Sequence, residues 1–158
     1  MLKKTFILIL LLCLTSCGYQ AIHSEKNSIN YDFSISELVF IGDRNINLKI
    51  KQKLNNYIGK NKNKKFILNI SSSAERITVS KNELGNPTSF KSEISVKVGI
   101  VMQNDLKNSL KTNLEITEDF NYNNISNKFE LKKYEREILI NLAEIASDKL
   151  IFKLSNIQ

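Results

Sequence analysis

The chain has 158 residues, 42% of them hydrophobic and 25% charged. This is an ordinary globular composition, with room for one domain whose core needs neither disulfide nor metal. The formal charge of +7 rests on 20 Lys and only 3 Arg, a balance that AT-rich codon usage produces without a nucleic-acid partner, because Arg is the residue suited to bidentate phosphate reading. Cys13 and Cys17 are the only cysteines and His23 is the only histidine, which leaves almost no material for a disulfide framework, a His-based triad or a zinc site.

Met1 to Lys4 is a short cationic start, and Phe6 to Leu14 is an apolar run. The run has the length of a signal-peptide core and is too short to span a bilayer comfortably. Leu14-Thr15-Ser16-Cys17 follows directly and is similar to the lipobox of bacterial lipoproteins. Small residues there pass the lipoprotein signal peptidase, and the Cys17 thiol accepts the diacylglyceryl group. Cleavage would remove Lys3 and Lys4, lower the charge to +5, and discard Cys13. It would leave Cys17 as the first residue, with a diacylglyceryl group and an N-acyl chain as its covalent additions and no other cofactor implied. Several acyl chains give stable attachment where one would not. Gly18, where a retention signal would place Asp, favours the outer membrane over the inner one.

Gly18 to Tyr31 is polar and unpatterned and reads as a tether, which we assign to residues 17–33 with the domain at 34–158. Ser34 to Ile41 reads as a buried strand with partial alternation (Ile35, Leu38, Phe40), ended by Gly42-Asp43. Ile46, Ile50, Leu54, Tyr57 and Ile58 then recur at helical spacing until Gly59. A basic loop follows from Lys60 to Lys65. Phe66, Leu68 and Ile70 alternate as a second strand, whose phase slips near Ala74 to Arg76 before Ile77 and Val79, predicting a bulge or bend.

Lys81 to Pro87 is a turn by composition. The third strand sets Phe90, Ile94, Val96, Val98, Ile100 and Met102 against Lys91, Glu93, Ser95, Lys97 and Gly99, the pattern of a strand with one wet face. After a turn at 104–108, Leu110, Leu114, Ile116 and Phe120 mark a fourth strand. An Asn-rich loop from Asn121 to Lys128 leads to a last helix, about Glu130 to Leu154, with Ile138, Leu139, Leu142, Ala143, Ile145, Ala146 and Leu150 on its apolar arc. The stem of Lys149 falls beside that arc, where it packs while the ammonium snorkels.

The order β-α-β-β-β-α predicts an α+β domain with two helices on one face of a four-stranded mixed sheet. The first two strands are parallel through the helix crossover and the rest antiparallel. Enzyme signatures are missing. With 5 Gly in the chain there is no glycine-rich phosphate loop, and Glu115, Glu118 and Asp119 read as solvated charges on alternating faces of an edge strand. The expectation is a non-enzymatic binding or assembly role.

Cys17-Gly18-Tyr19-Gln20 after the lipobox, the element order, Phe120-Asn121-Tyr122, and the last helix with Glu137, Leu142-Ala143, Ile145-Ala146 and Leu150 together resemble the LPS-assembly lipoprotein family, LptE. That resemblance implies a lipid-anchored protein on the periplasmic face of the outer membrane. It would plug the barrel of LptD, support its assembly, and take part in delivering lipopolysaccharide to the outer leaflet. It also implies lipopolysaccharide contact through basic residues, matching Lys81 in the turn between strands two and three and Lys128 or Lys132 before and in the last helix. A competing expectation is an accessory lipoprotein of another envelope lipid or solute transport system. An envelope hydrolase is a third, weakened by the missing catalytic constellation.

Overall fold

A computed structural model describes residues 31–103 and 110–157. The leader, Cys17, the tether through residue 30 and the turn at 104–108 lie outside the described residues. Seven elements follow in order: β1 (Phe33–Gly42), α1 (Arg44–Leu54), a single 3-10 turn (Asn55–Tyr57), β2 (Lys64–Lys81), β3 (Pro87–Gln103), β4 (Leu110–Asn123) and α2 (Lys128–Ser155). The sheet order is β1-β2-β3-β4, with β1 parallel to β2 and the other pairs antiparallel. Both helices cover one face, as the element order predicts.

β1 carries core residues in two phases, Phe33 and Ile35 and then Leu38 and Phe40. A bulge at Ser36 reconciles them: the register passes from Ile35↔Phe66 to Glu37↔Ile67, so all four side chains reach the helix-covered face. The Ser36 hydroxyl lies 3.2 Å from both the Phe66 carbonyl oxygen and Gln103 Oε1. Gly42 ends the strand at φ +98°. Asp43 then caps α1, its carboxylate accepting from the Asn45 and Ile46 amides at 2.8 and 3.0 Å. The Asp43 amide donates to the Ser72 carbonyl at 3.0 Å, and the Ser72 hydroxyl is 2.7 Å from Asn47 Oδ1. The start of α1 is therefore tied to β2, and Ile46, Ile50, Leu54 and Tyr57 are buried beneath it.

The expected bulge at Ala74 to Arg76 is absent. β2 and β3 pair without interruption from Lys65 to Thr78, and the shifts fall between Thr78 and Lys81. The slip in the sequence has another cause. β1 ends opposite Ser72, and α1 turns back from that point, its exit joining Ile58 to Ile35. Beyond Ser72, β2 has no helix of the first crossover above it, so Ala74 and Thr78 are exposed and the apolar Ile77 and Val79 sit on the opposite face. The turn is closed by Asn82, whose side chain accepts from the Leu84 and Asn86 amides at 3.1 and 2.9 Å.

α2 begins on an Asn127 cap to the Phe129 amide at 3.0 Å and buries Leu131, Ile138, Leu142, Ala143, Ala146, Leu150 and Leu154. Ile145, assigned above to the apolar arc, is instead 44% exposed; the buried arc is narrower and passes through Ala143, Ala146 and Ser147. These small residues face the core where α1 and α2 are bridged, with Lys49 and Lys53 gripping Glu144 at 2.9 and 2.7 Å.

Candidate functional site: the hairpin end and the open sheet face

Two surfaces among the described residues bear on the sequence expectations. The first is the far end of the molecule, formed by the β2–β3 turn and the start of α2. Lys81 pairs with Pro87 in the register. The Pro87 carbonyl accepts from the Asn124 side chain at 2.8 Å, and the Thr88 carbonyl accepts from the Asn124 amide at 2.8 Å. Asn124 lies three residues before the α2 cap, so Lys81 and Lys128 share this end, and Lys132 follows one helical turn later. All three lysines are exposed, and none is ion-paired to another of the described residues.

Sequence reasoning missed the apolar half of this end. Leu84 at the turn is 85% exposed and Phe129 in the first turn of α2 is 77% exposed, with Val79 exposed beside the turn. A leucine inside a turn composition and a phenylalanine ahead of the helical arc were the available signals. Lysines interleaved with exposed apolar side chains match a ligand that carries both phosphate and acyl chains.

A polar network holds this end in place. Arg76 donates to Glu135 Oε1 at 3.0 Å and stacks over Phe90 at 4.7 Å. The Tyr122 hydroxyl donates to the same Glu135 oxygen at 2.8 Å, and the Ser92 hydroxyl donates to Tyr122 at 3.4 Å. Burial, supported by the Glu135 carboxylate, pushes the Tyr122 phenol upward, so it stays a donor at neutral pH. Phe90, Tyr122 and Tyr134 pack edge and tilt at 5.7 and 5.9 Å. One cluster therefore joins β2, β3, β4 and α2 under the lysines.

The second surface is the open sheet face. Lys91 pairs with Glu93 at 2.7 Å, and Lys97 with Glu115 at 3.6 Å. The Ser95 hydroxyl also donates to Glu115 at 3.1 Å. Gly99 opens a shallow depression between Asn69 and Asn113. β3 thus has the wet face its alternation predicts.

Glu118 corrects the reading of the β4 carboxylates as uniformly solvated. Its partner in the ladder is Ile94, on the helix-covered face, where its side chain is 13% exposed and paired with Lys149 at 2.5 Å. Glu115 and Asp119 are exposed. The basic loop lies at the opposite end from Lys81. Among the described residues no group of His, Cys, Asp and Glu could hold a metal ion. His23 and Cys17 lie outside the described residues.

No protein-family model matches the sequence, and no curated protein matches it. Solved structures do. A minor lipoprotein from Acinetobacter baumannii is similar with a TM-score of 0.51 at 11% identity, over 79% of this chain and 91% of that one. Lipoprotein B from Nitrosomonas europaea is similar with a TM-score of 0.51 at 15% identity, over 79% of this chain and 86% of that one. Rare lipoprotein B from Shewanella oneidensis matches at 20% identity with a TM-score of 0.49, over 76% of this chain and 94% of that one. The first two place the chain in a shared fold.

Proposed function

We propose that this chain is an acylated lipoprotein of the outer membrane, facing the periplasm, that plugs and helps assemble an LptD-like barrel and takes part in passing lipopolysaccharide to the outer leaflet. The observation that carries this reading is a lipobox at Leu14 to Cys17 joined to a one-sided sandwich whose fold two bacterial proteins, both lipoproteins by name, share. Cys17 supplies the anchor, and no cofactor or catalytic group is called for. The open face, with its Lys–Glu pairs and Ser and Asn side chains, suits a hydrated lumen better than a dry interface. Lys81, Lys128 and Lys132 beside Leu84 and Phe129 suit lipopolysaccharide, with ammonium groups for its phosphates and apolar side chains for its acyl chains.

The test is capture of the tagged, acylated protein from detergent-solubilised membranes. The expected companion is a large β-barrel in a complex that survives SDS without heating. Recovery with an inner-membrane transporter instead would favour an accessory subunit of another envelope transport system.

A further inference from the structure

The end of the domain opposite Lys81 is where the chain enters, and that end is basic. Phe33 pairs with Lys64 and Ser34 with Lys65 in the parallel register, which sets Tyr31 and Asp32 beside the loop from Lys60 to Lys65. Four of the six residues from Lys60 to Lys65, the loop and the first two residues of β2, are lysines and none is acidic. Lys60 and Lys65 are exposed. Lys62 has only a long contact with Asp32 at 3.8 Å, and that carboxylate is 64% exposed. Lys64 donates to the Ile157 carbonyl at 2.6 Å, which leaves its charge in place. Ile58, 36% exposed, precedes the lysines, and Tyr31 stacks on Phe33 at 6.5 Å. Lysines with an aliphatic and a tyrosine beside them form the profile of a group that rests at a membrane interface.

Chain length limits the occupant. Residues 18–30 separate Cys17 from Tyr31, and in any conformation they reach no farther than about 45 Å. The β2 ladder carries Lys81 about 55 Å from Lys64 at an ordinary strand rise. The lysine loop is therefore a charged feature that the tether can bring to the bilayer, while Lys81 sits a strand's length farther away.

We infer that the Lys60 to Lys65 loop docks on anionic phospholipid headgroups of the membrane that holds the Cys17 anchor. This rests on the lipoprotein reading. Lysine suits the role, because a compact ammonium on a flexible stem binds phosphodiesters in a fluid surface without needing fixed bidentate geometry. The acyl chains supply attachment, and the loop supplies orientation by holding the base of the domain at the headgroups of the leaflet that carries the anchor.

The test uses the acylated full-length mature protein with Asn61→Cys, in which the Cys17 thiol is blocked by its lipid and a fluorophore couples at position 61 alone. Mass of the mature terminus is measured first, and an unacylated Cys17 would overturn the lipoprotein reading and this inference together. The protein is then placed in phosphatidylcholine vesicles with or without phosphatidylglycerol, each carrying a headgroup quencher. Quenching is expected with phosphatidylglycerol and should fade at high salt. A fluorophore at Leu84→Cys should escape it. Combining Lys60→Gln, Lys62→Gln and Lys65→Gln should lower the ratio of docked to free domain about a hundred-fold, at about five-fold per lysine. Equal quenching in both lipids, or quenching that survives the triple substitution in a folded protein, would overturn the docking while leaving the anchor intact.

Discussion

At Gly42 the backbone turns at φ +98°, and a Cβ placed there would meet the Ser72 carbonyl oxygen at 1.9 Å. That oxygen already accepts from the Asp43 amide, so neither strand can move away without breaking the tie between the α1 cap and β2. Gly42→Ala should therefore cost more than about 4 kcal/mol, in the range reserved for backbone clashes and strained φ. Urea unfolding measures it, and a loss below about 1 kcal/mol, the size of an ordinary surface change, would mean that the turn relaxes freely. Under the proposed function, the consequence at Lys81 and Lys128 is for binding. Both are exposed and unpaired among the described residues, so Lys81→Glu with Lys128→Glu should leave the fold and the barrel complex intact. Lipopolysaccharide affinity should drop at least about ten-fold, equivalent to about 1.4 kcal/mol. Binding unchanged at moderate ionic strength would remove both residues from the contact, because exposed ion contacts respond to charge reversal.

Among the elements, the two helices are clamped by charge as well as by apolar packing. Lys53 and then Lys49 hydrogen-bond the Glu144 carboxylate and hold it down at about 2, below its ordinary 4.5. Lys53 loses some charge stability to burial, yet the bonds to Glu144 and Asp148 raise it overall. The folded carboxyl is the stronger acid, so the clamp contributes in full above the unfolded value and fades as pH falls from about 4.5 towards 2. Because Glu144 is a third exposed, solvent screening limits the gain to about 1 kcal/mol. Glu144→Gln should lose that amount at neutral pH, and the gap from the parent protein should close in acid. A gap that stays constant down to pH 2 would assign the loss to packing. The same elements show what sequence periodicity can and cannot carry. The uninterrupted alternation from Phe90 to Met102 and the α1 repeat of Ile46, Ile50 and Leu54 were legible because each depends only on its own period. β1 was legible only in part, since its two phases become one face only through the Ser36 bulge against Phe66. The slip after Ile70 was legible as a change but not as its cause, because that cause lies in where β1 and α1 stop. Ile145 escaped because the width of the buried arc depends on how closely α1 packs on α2, where Ala143, Ala146 and Ser147 face the core. Glu118 shares the alternation of Leu114 and Ile116, and only the structure supplied the Lys149 partner that lets a carboxylate sit on that face. The lysines of the hairpin end came from family likeness, and only the fold placed Leu84 and Phe129 beside them.

For the whole molecule, the layering confines most of the folding stability to one side of the sheet. Stability resides on the helix-covered side, where Phe66, Leu68, Ile94 and Val96 lie at or near zero exposure against α1 and α2. The open face contributes little to it: an exposed pair such as Lys97 with Glu115 at 3.6 Å, with side chains 67% and 57% exposed, is worth at most about 1 kcal/mol. A surface that the fold hardly needs is free to be specified by a partner. Lys97→Glu should therefore shift the unfolding midpoint by an amount equivalent to no more than about 1 kcal/mol. It also sets a new carboxylate beside Glu115 and opposes any polar lumen matched to the native pattern. The expected outcome is a protein that folds normally and is recovered with much less barrel, while Lys81→Glu with Lys128→Glu retains the barrel and loses lipopolysaccharide. A photocrosslinker at Ser95, whose hydroxyl bonds Glu115 on the same face, gives the direct measurement, with crosslinks to the barrel wall expected. Barrel recovery unaffected by Lys97→Glu, together with no barrel crosslink from Ser95, would mean that another surface meets the partner and that the wet face is simply solvated.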